Sequence, residues 1–117
     1  MAEENNLRER TTNFALRVVR MFVALPKTTE AQVLGKQLLR SGTSIGANYR
    51  EAHRARSKNE FIAKCGDSLR EAEETVYWME LLVTSKIVSA AKLESLRREA
   101  EELIAIFVTI LKRSKAP

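Results

Sequence analysis

Arg50, Arg54, Arg56 and Lys58 crowd into one short segment, Arg40 precedes them, and Glu51 is the only acid between Arg40 and Lys58, so the segment carries a net charge of +4. An arginine presents a planar fork of donors that grips a phosphate through paired hydrogen bonds. Arg50 and Arg54 stand at i and i+4, which puts them on one face of a helix. The chemistry that suits such a cluster is phosphate recognition on RNA or DNA. Only one aromatic, Tyr49, is interleaved, so the segment itself supports little base stacking. A second use is open to the same cations, as ion pairs with the acidic face of a neighbouring helix, within the subunit or across an interface.

Other residues with chemical capacity lie close by. Asn48 falls in a helical stripe, with Ser44 and Glu51 flanking it on one column. Buried polar groups on a helix must be satisfied, so these are expected to bond across to Ser68, Glu71 or Thr75 and to set the register of two helices. His53 is the single histidine, and Cys65 lies twelve residues on. A metal site needs three or four ligands, so neither residue supports one. Cys65 falls in an apolar stripe and reads as a buried thiol. Gly35-Lys36 and the SGTSIG segment fail as a phosphate loop, since no Gly-Lys-Ser/Thr follows a strand. The Gly42-x-x-x-Gly46 spacing reads as close packing. Glu71 and Glu74 are three apart, but a di-metal bundle would need Glu-x-x-His motifs, and none is present. No nucleophile lies beside a base, so no enzyme and no cofactor are expected.

These residues must be positioned by helices. The chain has 117 residues, two prolines and four glycines, which leaves one domain with few breaks. The net charge is +5, and residues 1–60 hold 11 Lys/Arg against 6 Asp/Glu while residues 61–117 hold 9 against 9. A basic first half favours an anionic partner. No apolar run reaches the roughly 18 residues of a membrane span. MAEENNLRER has no apolar h-region, so no signal peptide is expected. One cysteine cannot make an internal disulfide, which fits a reducing compartment, and a cytoplasmic location is expected.

Helices are expected at about 7–25, 30–55, 58–84 and 90–113. Leu7, Thr11, Phe14, Val18, Met21 and Leu25 make one face, and Pro26 ends that helix. Thr29 with Gln32 reads as a capping box, as does Ser57 with Glu60. The second helix carries two stripes, so it touches two neighbours, and three glycines lie in one of them. Ser41 and Gly42 are expected near Ala72, where small residues let two backbones approach. Ile62, Cys65, Leu69, Ala72, Val76, Met79 and Val83 form the stripe of the third helix. Leu93, Leu96, Ala100, Leu103, Phe107 and Ile110 form that of the fourth. From Leu103 to Leu111 the fourth helix is apolar nearly all round, which favours association between copies. LKRSKAP is expected to be a basic, frayed tail. Short links give an all-α, antiparallel up-down-up-down four-helix bundle, a single domain over 1–117.

The run LRSGTSIGANYREAHRARSKNEFIAK, followed by LREAEETVYWMELL, resembles the four-helix-bundle proteins of the 23S rRNA intervening-sequence family, also called S23-type. The most specific parts are Arg40 to Asn48, Glu51-Ala52, Arg54, and Ser57 with Glu60-Phe61. Gly46 departs from the family, where many members have proline, and an unkinked or differently bent helix is expected there. The resemblance implies a homo-oligomer, typically a pentameric ring, with no enzymatic activity assigned. It also implies a link to nucleic acid, since a related bundle protein is the accessory subunit of diversity-generating retroelements and binds reverse transcriptase and RNA. The expected partners are therefore other copies of the chain, then RNA or DNA through Arg40, Arg50, Arg54, Arg56 and Lys58. The alternative is a protein-interaction scaffold or accessory subunit that touches no nucleic acid.

Overall fold

The computed structural model describes the backbone of residues 2–117 and the side chains from residue 6 onward. Four helices follow one another: α1 (Ala2–Val23), α2 (Thr29–Ala52), α3 (Lys58–Thr84) and α4 (Ala90–Lys115).

The boundaries have local causes. Pro26 disfavours the α region for Leu25, so α1 tightens at its end: Ala24 N donates to both Arg20 O and Met21 O, and Leu25 N donates to Phe22 O. Thr28, in extended backbone, caps α2 by accepting from Ala31 N at 3.4 Å. The expected Thr29/Gln32 box does not form, because Gln32 Nε2 reaches back to Pro26 O at 2.8 Å. α2 ends at Ala52, three residues before the expected Ala55. Arg54 N and Ala55 N bond three residues back, to Glu51 O and Ala52 O, a tightened turn that lets Ser57 swing into extended backbone. Ser57 Oγ then accepts from Glu60 N at 3.1 Å and opens α3 where expected. α3 closes in a Schellman arrangement, with Ile87 N on Leu82 O and Lys86 N on Val83 O. Lys86 takes the left-handed residue, φ 65°.

Each helix runs antiparallel to the next, and of the neighbouring pairs α1 and α4 meet least closely, so the bundle is most open along that seam. Its core holds Phe14 and Val18 of α1, Leu38 and Ile45 of α2, Ala72 and Met79 of α3, and Leu103 and Phe107 of α4, all fully buried or within 1% of it. On α3 the buried face is Cys65, Ser68, Ala72, Thr75, Met79 and Leu82. The expected Leu69, Val76 and Val83 sit one residue round, half-buried against the core. Burial of Ser68 and Thr75 in their place is stabilised by hydrogen bonds. Ser68 Oγ donates to Ile45 O at 2.9 Å, and Thr75 Oγ1 and Ser41 Oγ are bonded at 2.9 Å.

The glycines of α2 face α1, not α3 as expected from pairing Gly42 with Ala72. A Cβ on Gly42 would lie 2.8 Å from Val18 Cγ2, one on Gly46 would lie 3.1 Å from Thr11 Oγ1, and one on Gly35 would strike Leu25. Gly66 of α3 differs, since a Cβ there meets nothing within 4 Å. Gly66→Ala therefore removes the helix penalty of glycine with no clash, and thermal melting should show a gain of about 0.5–1 kcal/mol. A loss would mean that a neighbour the bundle lacks as a single chain, such as a second copy, presses on that face.

The apolar run of α4 is better covered than expected. Leu103 and Phe107 are buried, and Ile104, Ile106, Val108, Ile110 and Leu111 are half-buried. The large apolar side chains exposed among the described residues lie elsewhere: Leu16, Val19 and Val23 on α1, Val33 on α2 and Tyr77 on α3.

Candidate functional site

The cations fall into two groups. Arg40 lies on the outer face of α2, about 15 Å along the axis from Arg50 at 1.5 Å per residue. It is taken up by α3: Nη1 donates to Glu71 Oε2 at 3.2 Å and Nη2 contacts Glu74 Oε2. The hydrogen bond to Glu71, and then that to Glu74, hold its guanidinium above the ordinary range. Trp78 Nε1 also donates to Glu74 Oε2, at 2.9 Å. That bond, followed by Arg40, holds the Glu74 carboxyl below its usual range. Glu71 Oε1 is buried with no hydrogen-bond partner among the described residues.

Arg50, Arg54, Arg56 and Lys58 lie at the end of the bundle where α2 turns into α3, and all four are exposed. Arg50 is on the last turn of α2 and donates to Thr12 Oγ1 of α1 at 3.3 Å. Arg54 and Arg56 belong to the turn, so they do not share a helical face with Arg50. Lys58 begins α3. None of these four forms an ion pair among the described residues. Of the acids beside them, Glu51 holds Lys64 Nζ at 2.9 Å, and that hydrogen bond raises the Lys64 ammonium above its ordinary range.

The same end gathers cations from α4. Instead of fraying, α4 continues to Lys115. Its antiparallel course returns Lys112, Arg113 and Lys115 to the level of the α2–α3 turn. A groove of about 580 Å³ opens there along the α1–α4 seam, and residues as separate in sequence as Leu7, Tyr49, Phe61, Ile110 and Arg113 line it. Sequence reasoning missed both the α4 cations and the groove. The signal for the first was present, because LKRSK combined with an even number of helices places that tail beside the second turn.

The polar network forms, with different members. Ser41, Ser68 and Thr75 bond across the α2–α3 interface. Ser44 Oγ turns to Arg40 O of its own helix at 2.6 Å. Asn48 is half-buried and makes no side-chain hydrogen bond among the described residues. Glu51 is exposed, and Glu71 takes part through Arg40. His53 is exposed, its ring edge-on to Tyr49 with centroids 4.7 Å apart. Cys65 is buried in the core. Among the described residues no three His, Cys, Asp or Glu converge as a metal site, and no helix is long and apolar enough to cross a membrane.

A family model described as 23S rRNA-intervening sequence protein matches residues 3–109. The chain belongs to that family. A solved relative, described as a protein with unknown function from the S23 ribosomal protein family of Bacteroides thetaiotaomicron, is 38% identical. It superposes with a TM-score of 0.88, over 93% of this chain and 97% of that one. None of the curated proteins matches. In this member of the 23S rRNA-intervening sequence family, the motif from Arg40 to Asn48 is mostly a packing device. Ser41 and Ile45 bond to α3, Gly42 and Gly46 admit α1, and Arg40 ties α2 to α3. The turn that follows is where cations are left open.

Proposed function

We propose that this family member is a non-enzymatic, cytoplasmic bundle protein that binds RNA or DNA through its cationic end, with Arg54, Arg56 and Lys58 as the main phosphate contacts and Arg50 at their edge. One observation carries the reading. Arg10, Arg40, Lys64, Arg97 and Arg98 all hold acid partners, whereas the turn cations form no ion pair among the described residues. Cations without acid partners gathered on one turn and the helix ends beside it are an electrostatic footprint for a polyanion. The test is a salt titration of binding to structured RNA and to DNA. Affinity is expected to fall log-linearly with salt, by a slope of roughly 0.7–0.9 for each phosphate neutralised. No binding at low salt would end the reading.

A second reading rests on α1. Leu16, Val19 and Val23, exposed by 49, 39 and 66%, line one outer face of that helix, and such a ridge fits a protein partner or another copy of the chain. Val33 and Tyr77 are exposed singly on other helices. Contact of that ridge with an unlike surface of the next copy would build a ring where the rotation closes, the pentameric form that the resemblance implies. Replacing Leu16 and Val23 with glutamate is expected to reduce the light-scattering mass to that of one chain, 13.3 kDa, with helical content kept. An unchanged oligomer would place the interface elsewhere, and a monomeric parent protein would leave the ridge to a different partner, as in a scaffold or retroelement-like accessory subunit.

A further inference from the structure

We propose that the groove along the α1–α4 seam seats an unpaired base of a single-stranded nucleic acid whose phosphates lie on the cationic end. The inference rests on the reading above and adds which polymer the site selects.

The groove adjoins the cations, and Arg10 and Arg113 are the charged residues of its own lining. Arg10, at its edge, is spent on α4: Nε and Nη2 donate to the two carboxylate oxygens of Glu99 at 3.0 and 2.7 Å, and Nη2 also reaches Glu102 Oε1 at 3.0 Å. An acidic peptide would bring carboxylates towards Glu99 and Glu102, which disfavours it. A neutral group on an anionic backbone meets no such repulsion. The walls suit a flat ring. Phe61 of α3, Ile106 and Ile110 of α4 and Tyr49 of α2 supply its apolar lining. Tyr49 is held rigid, 1% exposed and edge-on to Phe107 with centroids 5.6 Å apart. Asn6 and Thr109 at the rim offer both donors and acceptors to the edge of a base. A volume of about 580 Å³ lies inside the usual range for small-ligand sites. In a duplex the base is stacked and paired, so only a single strand or a flipped nucleotide presents one.

Thr109 and Ala105 are exposed on α4 and line the groove, so Thr109→Trp and Ala105→Trp fill it without touching the core. Three fluorescent polymers of equal length, about 12 nucleotides to match a typical single-strand site, separate the contributions: oligouridylate, an abasic ribose-phosphate chain, and an RNA duplex. The intact protein should bind oligouridylate about tenfold more tightly than the abasic chain, the effect of one stacked base. Either tryptophan variant should bring oligouridylate to the abasic level and leave duplex binding unchanged. Equal affinity of the intact protein for the oligouridylate and abasic chains overturns the inference while leaving phosphate binding standing. Absence of binding to all three removes both. A change of light-scattering mass in both variants assigns the groove to contact between copies and overturns it. So does displacement of oligouridylate by polyglutamate from the intact protein if the variants bind no polyglutamate.

Discussion

Replacing Arg54, Arg56 and Lys58 together with alanine will flatten the salt dependence of RNA binding by about 2 units of log-log slope, since each phosphate contact on a single strand contributes roughly 0.7. At low salt the affinity should fall on the order of 100-fold. The three side chains are exposed and lie on the turn or the first residue of α3, so stability should stay within about 0.5 kcal/mol. A thermal melt checks that folding is intact. The control is a second triple variant, Lys27→Ala, Lys36→Ala and Lys92→Ala. These lysines lie towards the opposite end of the bundle, and their loss changes the net charge equally. If binding responds to the bulk charge of the protein, both variants weaken it alike, and the cationic end is not a site. If the turn variant instead loses its oligomeric state, those cations join copies together. Fluorescence anisotropy across about 50–200 mM salt, the range over which such contacts decay, with light scattering on the same samples, separates the three results.

What was legible in the sequence follows from how local each determinant is. The start of α3 was readable because Ser57 and Glu60 sit within one turn and their geometry needs nothing else. The end of α2 was not, because apolar spacing continues through Ala55 while the backbone turns early to satisfy the next cap. The core face of α3 was misplaced by one position at alternate turns. Leu69 and Val76 outrank Ser68 and Thr75 in a pattern of apolar residues. Yet Ser68 and Thr75 can be buried because α2 supplies Ile45 O and Ser41 Oγ. A hydropathy pattern has no access to an acceptor on another helix. Arg40 is the same case for charge. It stands with the basic cluster in sequence, and only the antiparallel register brings Glu71 and Glu74 to it. The groove is less local still, since its walls come from all four helices.

Gly42 is a position where the bundle should tolerate little change. A glycine inside a helix costs about 1 kcal/mol relative to alanine, so Gly42→Ala would stabilise the protein if space allowed. Space does not allow it: the new Cβ would lie 2.8 Å from Val18 Cγ2 and 3.0 Å from Val18 Cγ1. Val18 is fully buried and β-branched, so its side chain has no easy rotamer to escape into. The strain must then be relieved by moving α1 away from α2. Overpacking of this kind costs about 1–3 kcal/mol, which cancels the propensity gain and leaves Gly42→Ala destabilised by about 1 kcal/mol. Gly42→Leu should lose about 3 kcal/mol or more and lower the melting temperature by about 10 °C. Val18→Ala alone opens a cavity, but in combination with Gly42→Ala it makes room for the added methyl. The pair should therefore show a favourable coupling of about 1–2 kcal/mol in a double-mutant cycle. A higher melting temperature for Gly42→Ala, or strict additivity with Val18→Ala, would mean that α1 is free to shift. A shift of α1 also moves Thr12, the hydrogen-bond partner of Arg50, and Leu7 and Arg10 at the groove. The Gly42 variants should thus weaken oligouridylate binding more than duplex binding at a temperature where they remain folded.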